Sequence, residues 1–400
     1  MQVGVRLQPD QTLVVTAPAT QAAAARAVAR AAYAAGAHTV RTLFHDEILD
    51  RIHFEMASEE GLSDFPKWLA AGLLQEAEEN AAFLSIIGGD PDNLQGIPSA
   101  RVSIARRAAQ EATMPFQRLQ MAHRVAWTIV AAPSPGWARK VFPDLSQEEA
   151  EAALWRAIQS TSRVDGPDPV GAWQEHIRGL QERKGWLNGL NIQSLHYEAP
   201  GTDLTIELPP THQWVASGQR RAVGYPTSPN IPTEEVFTLP LRAGVEGRVR
   251  STRTLSYGGQ RIDGMELTFR AGRIVDVRAD AGEDALRQVI ETDEGSHYLG
   301  EVSLVPVDSP IARSGILFHN TLFDENASCH LAIGAAYPTC LTDADEIRSD
   351  EDLLARGGNV SLTHMDFMIG SDQLDITATT CAGQELPIFR RGLWAAPAEA

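Results

Sequence analysis

Four separate stretches in the second half of the sequence place acidic or imidazole side chains inside otherwise apolar segments. These stretches are NIPTEEVFTLP (230–240), TDEGSHYLGEVSLVP (292–306), NTLFDENASCHLAIGAAYP (320–338) and THMDF (363–367). Each has an ordinary explanation when it is taken alone, such as an exposed turn, an acid at a sheet edge or a satisfied core histidine. Together they supply several carboxylates and imidazoles that a fold could gather at one point.

Spacing predicts where these side chains point. In THMDF, His364 and Asp366 lie two residues apart, and residues two apart in a strand point to the same face. Glu301 opens a strongly apolar strand within LGEVSLVP. Glu234 and Glu235 are adjacent, so in an extended chain one points outward and the other inward. The inward-facing acids would share a buried space.

The third stretch predicts a helix over residues 325–336, with Asp324 as a possible N-cap. On such a helix His330 and Tyr337, seven residues apart, share a face. Cys329 precedes His330, but helix neighbours diverge by about 100°, so a Cys–His catalytic pair is not predicted.

Buried carboxylates that crowd together are very costly unless a cation compensates their charge. Oxygen and nitrogen ligands without thiolates suit zinc, cobalt or manganese. Several such ligands, most of them acidic, would suit two ions about 3.5–4 Å apart that share a bridging carboxylate. Sites of this type perform hydrolysis, because they lower the pKa of a bound water and polarise a carbonyl group.

The rest of the sequence predicts two domains that would position these side chains. Residues 1–190 alternate apolar strands, such as 12–16 and 83–88, with helices. This pattern predicts an α/β N-terminal domain with a mainly parallel sheet. Residues 191–400, beyond the junction NGLNIQSL, alternate apolar and polar residues between Gly and Pro turns. They predict a mixed, β-rich α+β C-terminal domain that carries the chemistry.

Two helix boundaries are also marked in the first half. Ser146 and Glu149 form a capping-box pattern that opens a helix. Thr20 is predicted to cap the N-terminus of an Ala-rich helix, and Gly36 is predicted to stop that helix at its C′ position.

Composition excludes several functional classes. The net charge of −18 disfavours binding to nucleic acid or to an anionic membrane surface. Three cysteines without a CxxC pair predict neither a disulfide framework nor a thiolate zinc site. No GxGxxG follows the first strand, and no GxxxxGK[ST] occurs. The N-terminus lacks a signal-peptide pattern, which favours a cytoplasmic protein.

Several segments resemble the ordered motifs of the thermophilic-type dimetal aminopeptidases, the family of aminopeptidase T and aminopeptidase S. The segments are PTEEVFT, LGEVSLVP, FDENASCHLAIGAAYP and HMDFMIGS. The likeness runs through most of 190–394, and more diffusely through FPKW and GGDPDNLQGI in the first half. This chain has Leu241 and Val360 where the family commonly has histidines near its motifs.

The resemblance implies a site residue by residue. The implied metal ligands are Glu235, Glu301, Glu325, His330, His364 and Asp366. One ion would be held by Glu235, Glu301 and His330. The second would be held by Glu325, His364 and Asp366, and by Glu301 again as the bridging ligand. Tyr337 is implied as a site tyrosine that stabilises the oxyanion. Either Glu301 or Glu234 would transfer the proton to the leaving amine.

By the same resemblance, two divalent ions per subunit would hydrolyse the N-terminal residue from short peptides with a free N-terminus. A homodimer that encloses the site is also implied. Three alternatives stay open: a non-catalytic metal-binding homologue, a metal-dependent amidohydrolase of non-peptide amides, and a nucleotide-linked α/β enzyme. Substrate profiling would separate the first two from a peptidase.

Overall fold

The computed structural model describes residues 1–218, 223–257 and 260–395. Its strands are β1 Thr12–Pro18, β2 Thr39–His45, β3 Ala82–Ile87, β4 Trp127–Ala131, β5 Ile192–Ala199, β6 Thr202–Glu207, β7 Val215–Ala216, β8 Val236–Thr238, β9 Val245–Arg250, β10 Leu255–Tyr257, β11 Gln260–Ile262, β12 Glu266–Arg270, β13 Arg273–Arg278, β14 Leu299–Leu304, β15 His330–Gly334, β16 His364–Met368, β17 Asp375–Thr380, β18 Glu385–Arg390 and β19 Leu393–Trp394. Its α-helices are α1 Ala22–Ala34, α2 Glu47–Met56, α3 Glu59–Leu62, α4 Lys67–Glu78, α5 Ser99–Met121, α6 Pro135–Val141, α7 Gln147–Thr161, α8 Pro169–Gly189, α9 Glu283–Ile290, α10 Pro310–Ser314, α11 Thr321–Asp324 and α12 Asp350–Ala355.

The N-terminal region is built on a parallel sheet of four strands in the order β2-β1-β3-β4. Its central strands are continuous apolar runs, because strands covered by helices on both faces need apolar side chains on both faces. Leu13, Val15, Leu84 and Ile86 lie in one buried cluster of this sheet. The predicted α/β architecture is confirmed. None of the described helices is long and apolar enough to cross a membrane.

Helix boundaries in this region follow two of the three local predictions. Ser146 and Glu149 form the reciprocal hydrogen bonds of a capping box at the start of α7. Gly36 follows the C-cap of α1 with a φ of +91°, which glycine adopts without steric cost. Thr20 does not cap α1: it lies in the 3-10 turn Ala19–Gln21, which continues directly into the helix.

Within the described residues, the C-terminal part contains two large antiparallel sheets and a small antiparallel pair, β10-β11. The larger has eight strands in the order β13-β12-β9-β6-β5-β17-β18-β19, and the smaller has five in the order β16-β15-β14-β8-β7. One large hydrophobic core includes Leu195 and Leu204 of the first sheet with Val302, Leu331 and Phe367 of the second. The predicted β-rich C-terminal part is confirmed. The boundary between 1–190 and 191–400 stays a prediction, although α8 ends at Gly189 and β5 begins at Ile192.

The predicted helix over 325–336 is wrong. A single 3-10 turn, Glu325–Ala327, is followed by the strand β15. This strand pairs with β14 on one side and β16 on the other, so its backbone groups are satisfied by tertiary partners rather than by a helix. Non-local pairing therefore overrides the weak helical preference of the small residues in HLAIGAA.

The segment that leads to Glu235 is attached to the N-terminal sheet. The backbone N–H of Ile129 donates to the carbonyl of Pro229 at 2.6 Å, and the Thr128 hydroxyl donates to the carbonyl of Ser228 at 2.7 Å. These bonds extend the exposed edge of β4 with a segment from the second half of the chain. The two regions consequently meet beside the predicted site.

Candidate metal centre

Three neighbouring strands carry most of the predicted site on one sheet face. Glu301 of β14 lies opposite Ala332 of β15, and Ala332 lies opposite Asp366 of β16. Directly paired residues point to the same face, so the two carboxylates flank the small Ala332 side chain. The opposite face of these strands packs into the large hydrophobic core. This arrangement explains why ionisable residues occur inside apolar strands.

The same face also carries both histidines. His330 and Ala332 lie two residues apart on β15, and His364 of β16 pairs with Gly334. Ala332 and Gly334 have little or no side chain, so the space above the middle of the sheet is left to the larger groups around it. His330 and Tyr337, predicted to share a helix face, are instead placed by a strand and by the loop after it.

Potential ligand atoms fall into two groups that share Glu301. The first group is Glu235, Glu301 and His330, and the second is Glu301, His364 and Asp366. In each group one ligand atom per residue lies within 4.8 Å of the others. The two oxygens of Glu301 face different groups: Oε1 lies 3.7 Å from His330 Nε2, and Oε2 lies 3.7 Å from His364 Nε2. This is the geometry expected of a bridging carboxylate.

The remaining short distances complete each group. His330 Nε2 lies 3.3 Å from Glu235 Oε2, and His364 Nε2 lies 3.4 Å from Asp366 Oδ1. The other ring nitrogen of each imidazole, Nδ1, lies near a backbone carbonyl. Nδ1 of His330 lies 3.2 Å from the carbonyl of Ser328, and Nδ1 of His364 lies 2.8 Å from the carbonyl of Ala335. With a proton held on Nδ1, each Nε2 would be free to bind a cation placed between it and the carboxylates.

Two hydroxyl groups orient Glu235. The Ser303 hydroxyl donates to Glu235 Oε2 at 3.0 Å, and the Thr233 hydroxyl donates to Oε1 at 3.5 Å. Ser303 was not identified in the sequence, but a signal was present: it follows Glu301 by two residues in the same strand. Hydrogen bonds to a ligand carboxylate fix its direction and support metal affinity.

Replacing Ser303 with alanine should therefore weaken metal binding about tenfold while the fold persists. Competition between the protein and a chelator of known affinity would measure the change. Ser194→Ala on β5 is the matched control, because this partly buried strand serine lies in the other sheet. Equal metal affinity in the two variants would contradict a role for the Ser303 hydroxyl.

Glu234 lies outside the centre. Its carboxylate forms a two-pronged ion pair with Arg163, and His176 Nε2 lies 3.7 Å from Glu234 Oε2. The backbone N–H of Glu234 donates to the side-chain oxygen of Asn326 at 2.7 Å. These contacts hold the side chain away from the pocket, whereas the next residue, Glu235, points into it. The adjacent acids thus have different partners, but both are buried, so the predicted outward-facing acid is not exposed to solvent.

Burial changes the acid–base character of the cluster. It raises the pKa of Glu301 to about 7 and that of Asp324 to about 7. It also raises the pKa of Glu325, and repulsion from Asp366 adds to that effect. Burial opposes a charge on His330, but hydrogen bonds to Glu235 and Glu301 outweigh it and raise the histidine pKa. The carboxylates therefore need positive charge nearby.

Divalent cations fit this need. The pocket gathers four carboxylates, from Glu235, Glu301, Glu325 and Asp366, together with two imidazoles. Two divalent cations would balance four carboxylate charges and would let both histidines bind as neutral ligands. The donors are oxygen and nitrogen atoms only, which suits zinc, cobalt or manganese.

Glu325 and Tyr337 lie at the margin of the cluster. Glu325 is buried and lines the same pocket, and its Oε1 accepts a hydrogen bond from Asn326 Nδ2 at 3.3 Å. It belongs to neither group of three, so its role as a ligand stays a prediction. The Tyr337 ring lies 5.4 Å, edge to face, from the His364 ring. Burial, then repulsion from Glu301, raises the pKa of Tyr337 well above its ordinary value, so the hydroxyl keeps its proton.

A pocket of about 660 Å³ opens over the cluster. Its floor is the sheet face described above. Its opposite wall comes from the N-terminal region. His45 is the last residue of β2, Asp90 follows β3, and Arg106 lies on α5. This volume falls in the usual range for small-molecule sites.

Comparison with known proteins identifies the family. The profile of the thermophilic metalloproteases (M29) matches residues 1–394. The chain belongs to this family. The M29 relatives include aminopeptidase AmpS of Bacillus subtilis, which is 46% identical in an alignment that covers 99% of this chain and 96% of the AmpS sequence. Aminopeptidase T of Thermus thermophilus is 42% identical over 98% of this chain and 96% of its own.

A solved structure supports the same M29 membership. Wild-type AmpT from Thermus thermophilus matches with a TM-score of 0.90 and 41% sequence identity. The match covers 99% of this chain and 97% of the other. The predicted family and the predicted fold class are both confirmed. Because the M29 profile spans the parallel-sheet region as well as the metal cluster, the likeness extends well beyond the four motifs.

Proposed function

We propose that this chain is a metal-dependent aminopeptidase that removes the N-terminal residue from short peptides. The M29 relatives carry the name aminopeptidase, and the family is one of metalloproteases. The single observation that carries the proposal is that two groups of buried or half-buried donors share Glu301. Such an arrangement suits two ions with a bridging carboxylate.

The proposed ligands fall into two sets. One ion would be held by Glu235, Glu301 and His330. The other would be held by Glu301, His364 and Asp366, with Glu325 completing the set as the family resemblance implies. The ions supply one kind of chemistry when bound: they lower the pKa of water and polarise the carbonyl of the first peptide bond.

The chain's own groups supply the remaining steps. The carboxylates at the floor of the pocket accept hydrogen bonds from the free amine of a peptide N-terminus. The protonated Tyr337 hydroxyl donates a hydrogen bond to the carbonyl oxygen as it gains negative charge. Of the two predicted carriers of the proton from water to the leaving amine, Glu301 lines the pocket, and it would carry the proton on an oxygen released from its ion. Glu234, the other candidate for that role, is held by Arg163 and does not line the pocket.

Tyr337→Phe should lower kcat about 100- to 1,000-fold and leave the amount of bound metal unchanged. The reason is that the ring still fills its place beside His364, while the donor to the developing charge is gone. Steady-state kinetics with a leucyl anilide, together with elemental analysis, would measure both effects. Tyr33→Phe is the control, because Tyr33 is an exposed residue of α1. A Tyr337→Phe protein with full kcat would remove the tyrosine from the mechanism.

The activity itself is tested by two substrates that differ only at the amine. Purified protein is loaded with zinc, cobalt or manganese and given leucyl p-nitroanilide or its N-acetyl derivative. An aminopeptidase cleaves the first and spares the second. Equal cleavage of both would favour an amidohydrolase without a requirement for a free amine. Tight metal binding with no cleavage of any aminoacyl anilide would favour a non-catalytic homologue.

Two further features are proposed from the family resemblance: assembly into a homodimer that encloses the active site, and a cytoplasmic location. Light scattering coupled to size-exclusion chromatography tests the first. A mass near twice the 43.4 kDa of the chain supports the dimer, and a mass equal to that of one chain contradicts it.

A further inference from the structure

The pocket over the metal cluster has a strongly uneven distribution of charge. Among the described residues that line it, Arg106 is the single lysine or arginine. The acidic residues that line the same pocket are Glu47, Asp50, Asp90, Glu235, Glu301, Glu325 and Asp366. Two divalent ions would balance the last four of these acids, so Glu47, Asp50 and Asp90 remain. Neither the fold nor the proposed metal centre accounts for the positive charge of Arg106 beside them.

Arg106 is positioned but not neutralised. Its guanidinium carbon lies 5.1 Å from the centre of the Tyr257 ring, so the aromatic face supports the group. In residues 1–218, 223–257 and 260–395, no carboxylate lies within ion-pair distance of it, whereas the next residue, Arg107, pairs with Glu111 on the outer face of the same helix. Guanidinium groups left without a protein carboxylate can bind one from a ligand through a two-pronged hydrogen bond.

Tyr257, the residue that contacts Arg106, belongs to a strand that lies next to the metal-centre residues. Tyr257 is the last residue of β10, and its neighbour Ser256 lines the pocket. β10 lies against β16, the strand that carries His364 and Asp366. Arg106 itself comes from α5 in the N-terminal region. The guanidinium and the acidic cluster therefore belong to two walls of one pocket.

We propose that Arg106 binds the C-terminal carboxylate of the substrate, so that the preferred substrates are very short peptides with both ends free. This inference rests on the proposed aminopeptidase function. A short peptide fits this arrangement, with its N-terminal amine at the floor beside the metal ligands and its carboxylate at Arg106. An extended peptide spans about 3.3–3.6 Å per residue, so a pocket of about 660 Å³ that holds both groups accommodates only a few residues.

The inference is tested with three substrates and three proteins. The substrates are Leu-Gly-Gly, its C-terminal amide, and leucyl p-nitroanilide, which has no carboxylate. The proteins are the metal-loaded wild type, Arg106→Gln, and Arg107→Gln as the matched control on the same helix. The wild type should prefer the free acid to the amide in kcat/KM. An acidic pocket without a carboxylate-binding group would repel the acid and give the opposite order.

Arg106→Gln should lower kcat/KM for the free acid roughly ten- to hundredfold, mainly through KM, because a charge-assisted pair is lost. Its kcat/KM for the amide and the anilide should stay near wild type, as should all three values for Arg107→Gln. The carboxylate subsite would be overturned if Arg106→Gln lost kcat/KM equally for acid and amide, or if the wild type did not prefer the acid. Cleavage of the anilide would still support the aminopeptidase function in either case. The acid–amide comparison needs no variant, so misfolding of Arg106→Gln would not prevent the test. Failure of the wild type to cleave any substrate would overturn both proposals.

Discussion

Glu301→Ala should lower kcat/KM for a leucyl anilide by at least about a thousandfold and should release bound metal. The reason is that the two oxygens of Glu301 face two separate donor groups, so a single substitution removes a ligand from both. Elemental analysis after gel filtration would measure metal content, and steady-state kinetics would measure the loss of activity.

The control for this variant is Glu198→Ala. Glu198 also lies on a strand, β5, but it is exposed and belongs to the other sheet. It should retain both metal and activity. Circular dichroism on both variants separates loss of metal from loss of fold. A folded Glu301→Ala protein that still holds two ions per chain would show that this carboxylate does not bridge them.

Removal of metal should abolish peptide cleavage and lower the Tm by about 5–15 °C. Without cations the buried carboxylates repel one another or take up protons, and the binding energy that favours the folded state disappears. Dialysis against a chelator, followed by differential scanning calorimetry and an anilide assay, would measure both effects.

Adding back zinc, cobalt or manganese should restore activity and Tm together, and the metal that restores most activity per ion identifies the best cofactor among them. Mg²⁺ serves as the control, since it prefers an octahedral oxygen shell and is a poor match for two histidines. A chelated protein that is free of metal by elemental analysis yet trims peptides at the original rate would end the case for a metal centre.

Much of the site could be predicted from the sequence because strand geometry is local. Side chains two residues apart in an extended chain share a face, which placed His364 beside Asp366. Adjacent side chains point apart, which separated Glu234 from Glu235. The four ordered motifs indicated the family, and the alternation of strands and helices predicted the parallel sheet of the first region.

Other features depended on contacts between distant segments. HLAIG resembles a helix in isolation, but it forms a strand because β14 and β16 provide hydrogen-bond partners on both sides. The exclusion of Glu234 depends on Arg163, which lies 71 positions earlier in the chain. Arg106 reaches the pocket from another region altogether, supported by Tyr257.

The sequence by itself therefore determined which residue types are present and which way each points within its own strand. Only the tertiary structure decided the register between strands and the partners that direct each carboxylate into the pocket or keep it out. It also decided which charged groups the N-terminal region places on the opposite wall of the pocket. The physical reason is that side-chain direction repeats with the period of the local backbone, whereas pairing and burial depend on groups far apart in the chain.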